Sequence, residues 1–236
     1  MSALENLLEE TWIPADRSQE WGRRTRITGE RQWLVGSEEL ARNEGDGGLL
    51  LTAGSAGLEL GRCGDRPTTN TPLGGEPDTA LPCSERAGDW WHPTPRFLSE
   101  RPRDPGQLLA RLRAGTPEGL GSDVQAMSLA LDLLGTHQAL PELRVALYRA
   151  LRLLPGLQVV DDAVDLDGRP GIGLGLTGGT ERQEIVLDPV DGSFLGERIV
   201  LAESGTGMWG GLPAGTVVQS TSVRTTTVDR IGETSR

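Results

Sequence analysis

In the last third of the chain, short apolar segments alternate with turn dipeptides, and this rhythm restricts the fold more than any other feature. Asp167-Gly168, Gly178-Gly179 and Asp191-Gly192 separate the segments, and such dipeptides are typical of tight hairpin turns. Within the segments hydropathy alternates, as it does in strands that bury one face. The pattern predicts a β-meander over residues 156–228 with at least four antiparallel strands, closed by a long Thr/Val strand at residues 215–228.

Composition limits the function classes. A chain of 236 residues can bury a real core, and we expect a single domain spanning residues 1–236. All 23 basic residues are arginine, a bias typical of a GC-rich genome. Because the sequence contains no lysine, covalent catalysis through a lysine amine is excluded. The net charge of −11 argues against a general nucleic-acid binder, which needs a basic face.

Residues 11–42 are predicted to hold the N-terminal strands. Trp21, Ile27 and Trp33 alternate loosely around Thr28-Gly29-Glu30, which indicates two strands and a hairpin turn. Arginines and glutamates are interleaved here, which is more typical of a strand with one charged face than of an RNA-binding groove. The arginines are Arg17, Arg23, Arg24, Arg26 and Arg31. Residues 229–236 are expected to be a frayed tail.

Residues 93–155 are predicted to be helical, with helices near residues 105–113, 122–136 and 140–154. Asp104 before Pro105 is a suitable N-cap, and Pro155-Gly156 is a suitable stop. We expect the apolar stripes of these helices to pack on one face of the meander, because an amphipathic helix needs an apolar partner.

Residues 43–92 are rich in Gly, Pro, Thr and Asp, and predict a flexible surface insert. The chain's two cysteines, Cys63 and Cys83, lie in it. We expect them to form a disulfide, worth roughly 3 kcal/mol for a loop of this size, and the alternative is two free thiols. A disulfide implies an oxidising compartment, although the chain as written has neither an export signal nor a membrane span.

No motif specifies a reaction, a metal or a cofactor, and we expect none of the three. His92 and His137 are not spaced for zinc, and residues 161–167 depart from a calcium loop and suit a strand edge leading into an Asp-Gly turn. Gly171-Ile-Gly-Leu-Gly resembles a phosphate loop, but it lies inside a hairpin with no helix after it. A Ser–His–Asp set cannot be assembled.

The chain resembles a family of actinobacterial single-pass membrane proteins encoded near extracytoplasmic-function sigma factors. The matching residues include Trp12-Ile-Pro-Ala-Asp-Arg-Ser-Gln-Glu-Trp and Pro82-Cys-Ser-Glu-Arg-Ala-Gly-Asp-Trp, and the matches are specific jointly. Other matches cover residues 28–39, 97–105, 143–157, 185–198 and 212–218, together with Gly168, Arg169 and Gly171. The extracytoplasmic part of the family is similar to lipoprotein-carrier and sigma-regulator folds.

The resemblance implies an α+β fold, in which a curved antiparallel half-barrel carries about three helices on its concave face. It implies a membrane-anchored extracytoplasmic location and no catalytic residue. The function expected is a non-enzymatic binding or sensor domain in envelope signalling. Its partner would be an apolar small molecule or lipid, or a membrane or sigma-regulatory protein, and not a nucleic acid.

Five tryptophans are the candidate ligand-binding residues, since such a groove needs an aromatic surface. They are Trp12, Trp21, Trp33, Trp90 and Trp91. The alternative for each is ordinary core and sheet packing. A different function, that of a soluble enzyme of secondary metabolism, would need an acid/base pair inside the cavity, such as His92 with Asp89 or Glu100.

Family members carry a membrane helix and further residues before the Trp-Ile-Pro motif. In this chain only about ten residues precede that motif. If a strand is missing there, the strand bearing Trp21, Ile27 and Trp33 becomes an unprotected edge. Such an edge invites pairing with another chain, so self-association is expected.

Overall fold

The computed structural model describes residues 2–43, 54–55, 57–63, 81–116 and 123–234. The remainder of the predicted insert, residues 44–53, 56 and 64–80, lies outside the described residues. Five helices and nine strands occur in the described part. The helices are α1 (Glu38–Asn43), α2 (Pro95–Ser99), α3 (Pro105–Ala114), α4 (Asp123–Gly135) and α5 (Pro141–Leu151).

The strands form two antiparallel sheets. The N-terminal sheet contains β1 (Ser2–Trp12), β2 (Glu20–Val35), β3 (Gly54–Ser55) and β4 (Glu59–Arg62). The C-terminal sheet contains β5 (Gln158–Val164), β6 (Pro170–Gly178), β7 (Glu181–Leu187), β8 (Phe194–Leu201) and β9 (Val217–Ser220), in that order. The predicted α+β class and C-terminal meander are therefore confirmed. Both sheets are open.

All three predicted turns of the meander are confirmed. Gly168, Gly179 and Gly192 have φ values of 78°, 63° and 67°, which place them in the left-handed region where a side chain is strained. The predicted long strand at residues 215–228 is wrong in its extent, because β9 ends at Ser220. Beyond it, the Thr221 and Val223 N–H groups still donate to the Glu197 and Leu195 carbonyls of β8 at 2.9 and 2.7 Å, and the Arg169 guanidinium takes the Val223 carbonyl as an acceptor at 2.6 Å.

Helices α3, α4 and α5 pack on one face of the C-terminal sheet, as predicted. Their leucines meet Leu174, Leu176 and Ile185 of the sheet in one buried cluster. Asp104 caps α3 by accepting a hydrogen bond from the Gln107 N–H at 2.9 Å. The longest of the described helices, α4, has 13 residues, and none is long and apolar enough to cross a bilayer.

The opposite face of this sheet is shaped by the glycines of β6. A β-carbon on Gly173 would lie 2.8 Å from Val160 Cβ and 2.9 Å from Ala163 Cβ, so only glycine leaves room for those neighbours. Nearby, the carboxylate of Glu184 is fully buried between two arginines. Arg182 Nε donates to it at 2.7 Å and Arg198 Nε at 2.8 Å.

The N-terminal sheet differs from the expectation in two respects. Strand pairing begins at Ser2 and not near residue 11, because residues 2–12 form β1 along the length of β2. The predicted hairpin at Thr28-Gly29-Glu30 is wrong, because β2 continues through these residues. They form a bulge instead: Gly29 has φ 81°, and Thr28 Oγ1 donates to the Asn6 carbonyl at 3.1 Å.

The predicted unprotected edge is therefore on the wrong strand. Trp21, Ile27 and Trp33 lie on β2, which pairs with β1 along one edge and with β3 and β4 along part of the other. The outer strand is β1.

Contacts between the two sheets involve both ends of the chain. Leu34 and Val35 of β2 pack against a buried cluster that contains Leu201, Leu212 and Val218. At the opposite end of β2, the C-terminal segment reaches back to Trp12, whose indole Nε1 donates to the Glu233 carbonyl at 2.7 Å. The frayed tail predicted at residues 229–236 is thus wrong for residues 229–234, and residues 235–236 lie outside the described part.

Replacement of Leu147, which is 0% exposed on α5, tests the core. Leu147→Ala should lower the free energy of unfolding by about 2–5 kcal/mol, because it removes buried methyl groups and leaves a cavity. Leu153, which is 53% exposed, supplies the matched control, and Leu153→Ala should change this energy by no more than about 0.5 kcal/mol. Urea denaturation measures both, and equal losses would contradict this core.

Glu197 on β8 makes stability depend on pH. Burial raises the pKa of its carboxyl above the ordinary 4.5, and the charge of Asp132 raises it further. Between the unfolded and folded pKa values the folded state binds more protons, so the site's contribution to stability falls as pH rises through that window. Glu197→Gln should therefore be more stable than the wild type at neutral pH, with a gap that narrows towards about pH 4. A gap that does not change with pH would contradict this.

Candidate functional site

Ion pairs across β1 and β2 build the outer part of the N-terminal sheet. Arg24 Nε donates to Glu10 at 2.8 Å, and this hydrogen bond raises the pKa of the Arg24 guanidinium. Arg23 Nη2 donates to Glu9 at 2.7 Å. Further along, Arg31 Nε donates to Glu5 at 2.8 Å. The acidic residues of β1 are therefore matched to the arginines of β2, and both faces of the pair carry charge.

The outer edge of β1 has no strand against it within the described part of the chain. The strand has 11 residues, and Leu7 and Leu8 at its middle are 59% and 39% exposed. A long edge of this kind presents a row of backbone donors and acceptors that an added strand can use. This edge, with Glu5, Leu7, Leu8, Glu9 and Glu10, is the candidate site, and we name it the β1 edge.

The edges of the C-terminal sheet are protected, in contrast to the β1 edge. On β5 the register shifts between Val160 and Ala163, which leaves Asp161 and Asp162 as an exposed acidic bulge. A bulge and inserted charge both hinder strand addition. On the other side, β9 has only four residues, and so short an edge strand presents few backbone groups to an added strand.

The five predicted ligand-binding tryptophans are distributed over two regions. Trp12, Trp21 and Trp33 lie on the N-terminal sheet, whereas Trp90 and Trp91 pack on the helix cluster. Trp12, Trp21 and Trp90 are buried against the protein itself, so a ligand has access only to Trp33 and Trp91, which are partly exposed. Packing, the alternative left open by the sequence, accounts for the three buried rings.

Arginines accompany these rings. The Arg24 guanidinium lies 5.1 Å from the centre of the Trp12 ring, and that of Arg101 lies 5.6 Å from Trp90. Trp21 Nε1 donates to the Arg17 carbonyl at 3.0 Å, while Arg17 reaches the Gln138 carbonyl at 3.2 Å. Burial lowers the pKa of Arg17. The two hydrogen bonds of Arg17 connect the N-terminal sheet to the loop between α4 and α5.

Cys63 and Cys83 form the predicted disulfide, with α-carbons 5.2 Å apart. The bond joins the end of β4 to residues 81–94, which is a stretch with buried anchors and not a loose loop. In this stretch Thr94 Oγ1 donates to the Arg86 carbonyl at 3.1 Å and caps α2 by accepting from the Phe97 N–H. The described end of the predicted flexible insert is thus well ordered by hydrogen bonds.

The carboxylates of the acid/base pairs that the enzyme alternative needs, Asp89 and Glu100, make contacts that stabilise the local structure. Asp89 Oδ1 accepts hydrogen bonds from the backbone N–H groups of Trp91 at 2.9 Å and His92 at 2.6 Å, which makes it a turn former. The buried His92 Nδ1 lies 3.4 Å from the same oxygen. Glu100 pairs with Arg96 on the surface at 3.0 Å and lies outside this arrangement.

The acidic run is structural, as the sequence analysis favoured. Asp165 receives the Arg169 guanidinium at 2.6 Å beneath the turn. Asp167 accepts from Ser222 at 2.7 Å and from Arg224 at 2.9 Å, and these hydrogen bonds lower its pKa. Among the described residues, no three His, Cys, Asp or Glu side chains are grouped in a way that could hold a metal ion.

Sequence reasoning missed the β1 edge. Leu4, Leu7 and Leu8 have helical spacing, so nothing local in this segment indicates a strand. One signal was present: Glu5 and the pair Glu9-Glu10 have basic counterparts in Arg31 and the pair Arg23-Arg24 when the two segments run antiparallel.

Comparisons with known proteins add no relative. The chain matches no protein-family profile, no curated protein and no solved structure.

Loss of the disulfide should destabilise the protein. It closes a loop with a sequence separation of 20, so the paired replacement Cys63→Ser and Cys83→Ser should lower the free energy of unfolding by about 3 kcal/mol. Urea denaturation with and without a thiol reductant measures this. Reductant should weaken only the wild type, and a wild type that does not respond would show that the bond contributes nothing.

Proposed function

We propose that this chain is a non-enzymatic extracytoplasmic binding or sensor domain in envelope signalling, and that it binds an extended segment of a regulatory protein at the β1 edge. The observation that carries the proposal is the uncovered 11-residue edge itself, with Leu7 and Leu8 exposed beside it. Backbone hydrogen bonds along such an edge provide affinity, and alternate side chains provide specificity.

A protein segment suits this structure better than an apolar small molecule or lipid. The helix-covered face of the C-terminal sheet is filled by side chains of the chain's own core, including Leu108, Leu147 and Ile185, each 0% exposed. Trp33 and Trp91, the two partly exposed tryptophans, remain candidate contacts for a ligand, and the first of them lies on β2 beside β1.

The location and the half-barrel are part of the same proposal. The Cys63–Cys83 disulfide supports an oxidising compartment, since such bonds persist outside the cytoplasm. The contact of Leu34 and Val35 with the cluster around Leu201 supports a continuous curved arrangement of the two sheets, like the half-barrel of the family that the chain resembles.

A neutral alternating peptide, Thr-Thr-Leu-Val-Thr-Thr, tests strand addition without any contribution from charge. We expect weak binding, with slower hydrogen exchange at the outward amides of β1 and no change at β5, whose bulged edge serves as the internal control.

A backbone control completes this test. N-methylation at alternate residues of the peptide blocks one edge of its hydrogen bonds, and methylation at the other residues blocks the opposite edge. Only one of the two patterns should abolish binding. If both methylated peptides bind as well as the parent, or if no β1 amide is protected, strand addition at the β1 edge is wrong.

A further inference from the structure

We infer that the segment bound at the β1 edge is basic as well as apolar, and that it adds antiparallel with the pattern basic-basic-apolar-apolar-any-basic. This inference rests on the proposed function and names the chemistry of its partner. In order, these six positions face Glu10, Glu9, Leu8, Leu7, Asn6 and Glu5.

The acidic side chains of β1 are the first charges that an added strand meets. Neighbouring strands lie about 4.8 Å apart, so the added strand is about twice as far from β2 and its arginines as from β1. Directly opposed side chains on adjacent strands have β-carbons about 5 Å apart, close enough for an ion pair. The arginines of β2 therefore orient the glutamates and leave their side chains partly exposed, by 23% for Glu5, 32% for Glu9 and 15% for Glu10.

Glu5 and Glu10 each use only one carboxylate oxygen in their described contacts. Every described contact of Glu5 uses Oε1, which receives Arg31. Every described contact of Glu10 uses Oε2, which receives Arg24 and Arg26. In each case the second oxygen remains to accept a hydrogen bond from an arginine or lysine of the added strand, and the side chain is already held in place by its β2 partner.

The apolar centre of the pattern follows from Leu7 and Leu8. Successive side chains of a strand point to opposite faces, so Leu7 lies on the face of Glu5 and Glu9, whereas Leu8 lies on the face of Glu10. On each face a partner needs an apolar side chain opposite the leucine and a basic one opposite the glutamate. Such a pair on both faces fixes register, because a slip by one residue exchanges the faces.

A second copy of this chain is a poor occupant. Antiparallel pairing of two β1 strands centred on Leu7 sets Glu5 of one copy opposite Glu9 of the other. A shift of one residue sets Glu5 opposite Glu10. Like charges directly opposed are destabilising, and each copy carries a net charge of −11. The charge of the edge therefore favours a basic partner over self-pairing.

A charge series of peptides tests the inference on the unmodified protein. Arg-Arg-Leu-Val-Thr-Arg should bind more tightly than the neutral Thr-Thr-Leu-Val-Thr-Thr, by roughly two- to fivefold for each ion pair formed. Glu-Glu-Leu-Val-Thr-Glu should bind more weakly than the neutral peptide. Added salt should reduce the difference between the basic and neutral peptides, because it screens exposed charges. Fluorescence anisotropy of labelled peptides provides the dissociation constants.

Replacement of the carboxylates locates the effect on the chain. Glu5→Gln and Glu10→Gln together should remove most of the preference for the basic peptide, so that the ratio of its affinity to that of the neutral peptide falls towards one. The matched control is Glu203→Gln, since Glu203 is exposed in the loop after β8, and it should leave all three affinities unchanged. Circular dichroism confirms that each variant is folded.

The outcomes separate the two proposals. If the three peptides bind β1 with equal affinity, the basic partner is wrong and the β1 edge stands as a binding site. If no peptide binds, both are wrong. A salt-insensitive dimer in light scattering, with β1 amides protected, would show that a second copy occupies the edge and would overturn the basic partner.

Discussion

In β6, glycine alternates with leucine, and this alternation sets what each face of the C-terminal sheet can hold. Leu174 and Leu176 point towards α4 and the rest of the helix layer, where they join the largest buried cluster. Gly173 and Gly175 face the other way, and the space above them is taken by Val160 and by the stem of Glu184. Because β6 lies between β5 and β7, side chains of both neighbouring strands occupy the space that its glycines leave.

The N-terminal sheet is held by a different kind of interaction. Besides the backbone hydrogen bonds, partly exposed ion pairs such as Glu9 with Arg23 connect β1 and β2, and each is worth roughly 0.2–1 kcal/mol. Such a sheet gains most of its stability from what it packs on, here the cluster around Leu201 and the contact between Trp12 and Glu233. We expect its outer strand to open more readily than the helix-covered core, which suits an edge that exchanges partners.

The difference between the edges connects this architecture to function. On β5, Asp161 and Asp162 stand in a bulge with no arginine against them in the described residues, and the strand ends in a turn held by Asp165 and Arg169. On β1, each glutamate is instead oriented by an arginine of β2, on the side away from the free edge. The bulge at Gly29 belongs to β2, so β1 itself carries no extra residue. Acidic residues thus hinder strand addition at the β5 edge, whereas at the β1 edge they favour the basic segment that we propose.

The candidate site was less accessible to sequence reasoning than the fold. Trp12 and Trp21 were expected to bind a ligand because tryptophan is rich in apolar surface, yet both are buried against the chain. Which face of a ring is free depends on residues distant in sequence, such as Glu233 against Trp12. The exposed leucines of β1 were missed because helical spacing and strand alternation overlap in short segments.

The sequence by itself determined the elements whose signals are local. The turns at Gly168, Gly179 and Gly192 follow from backbone conformations that glycine adopts without strain. The three main helices follow from their apolar stripes, and α3 also from its cap at Asp104. Only the tertiary structure decided that residues 2–12 form a strand, that β2 runs unbroken past Gly29, and that the C-terminal segment returns to Trp12. The physical reason is that these features depend on hydrogen bonds and ion pairs between residues distant in the chain, which no local pattern of hydropathy encodes.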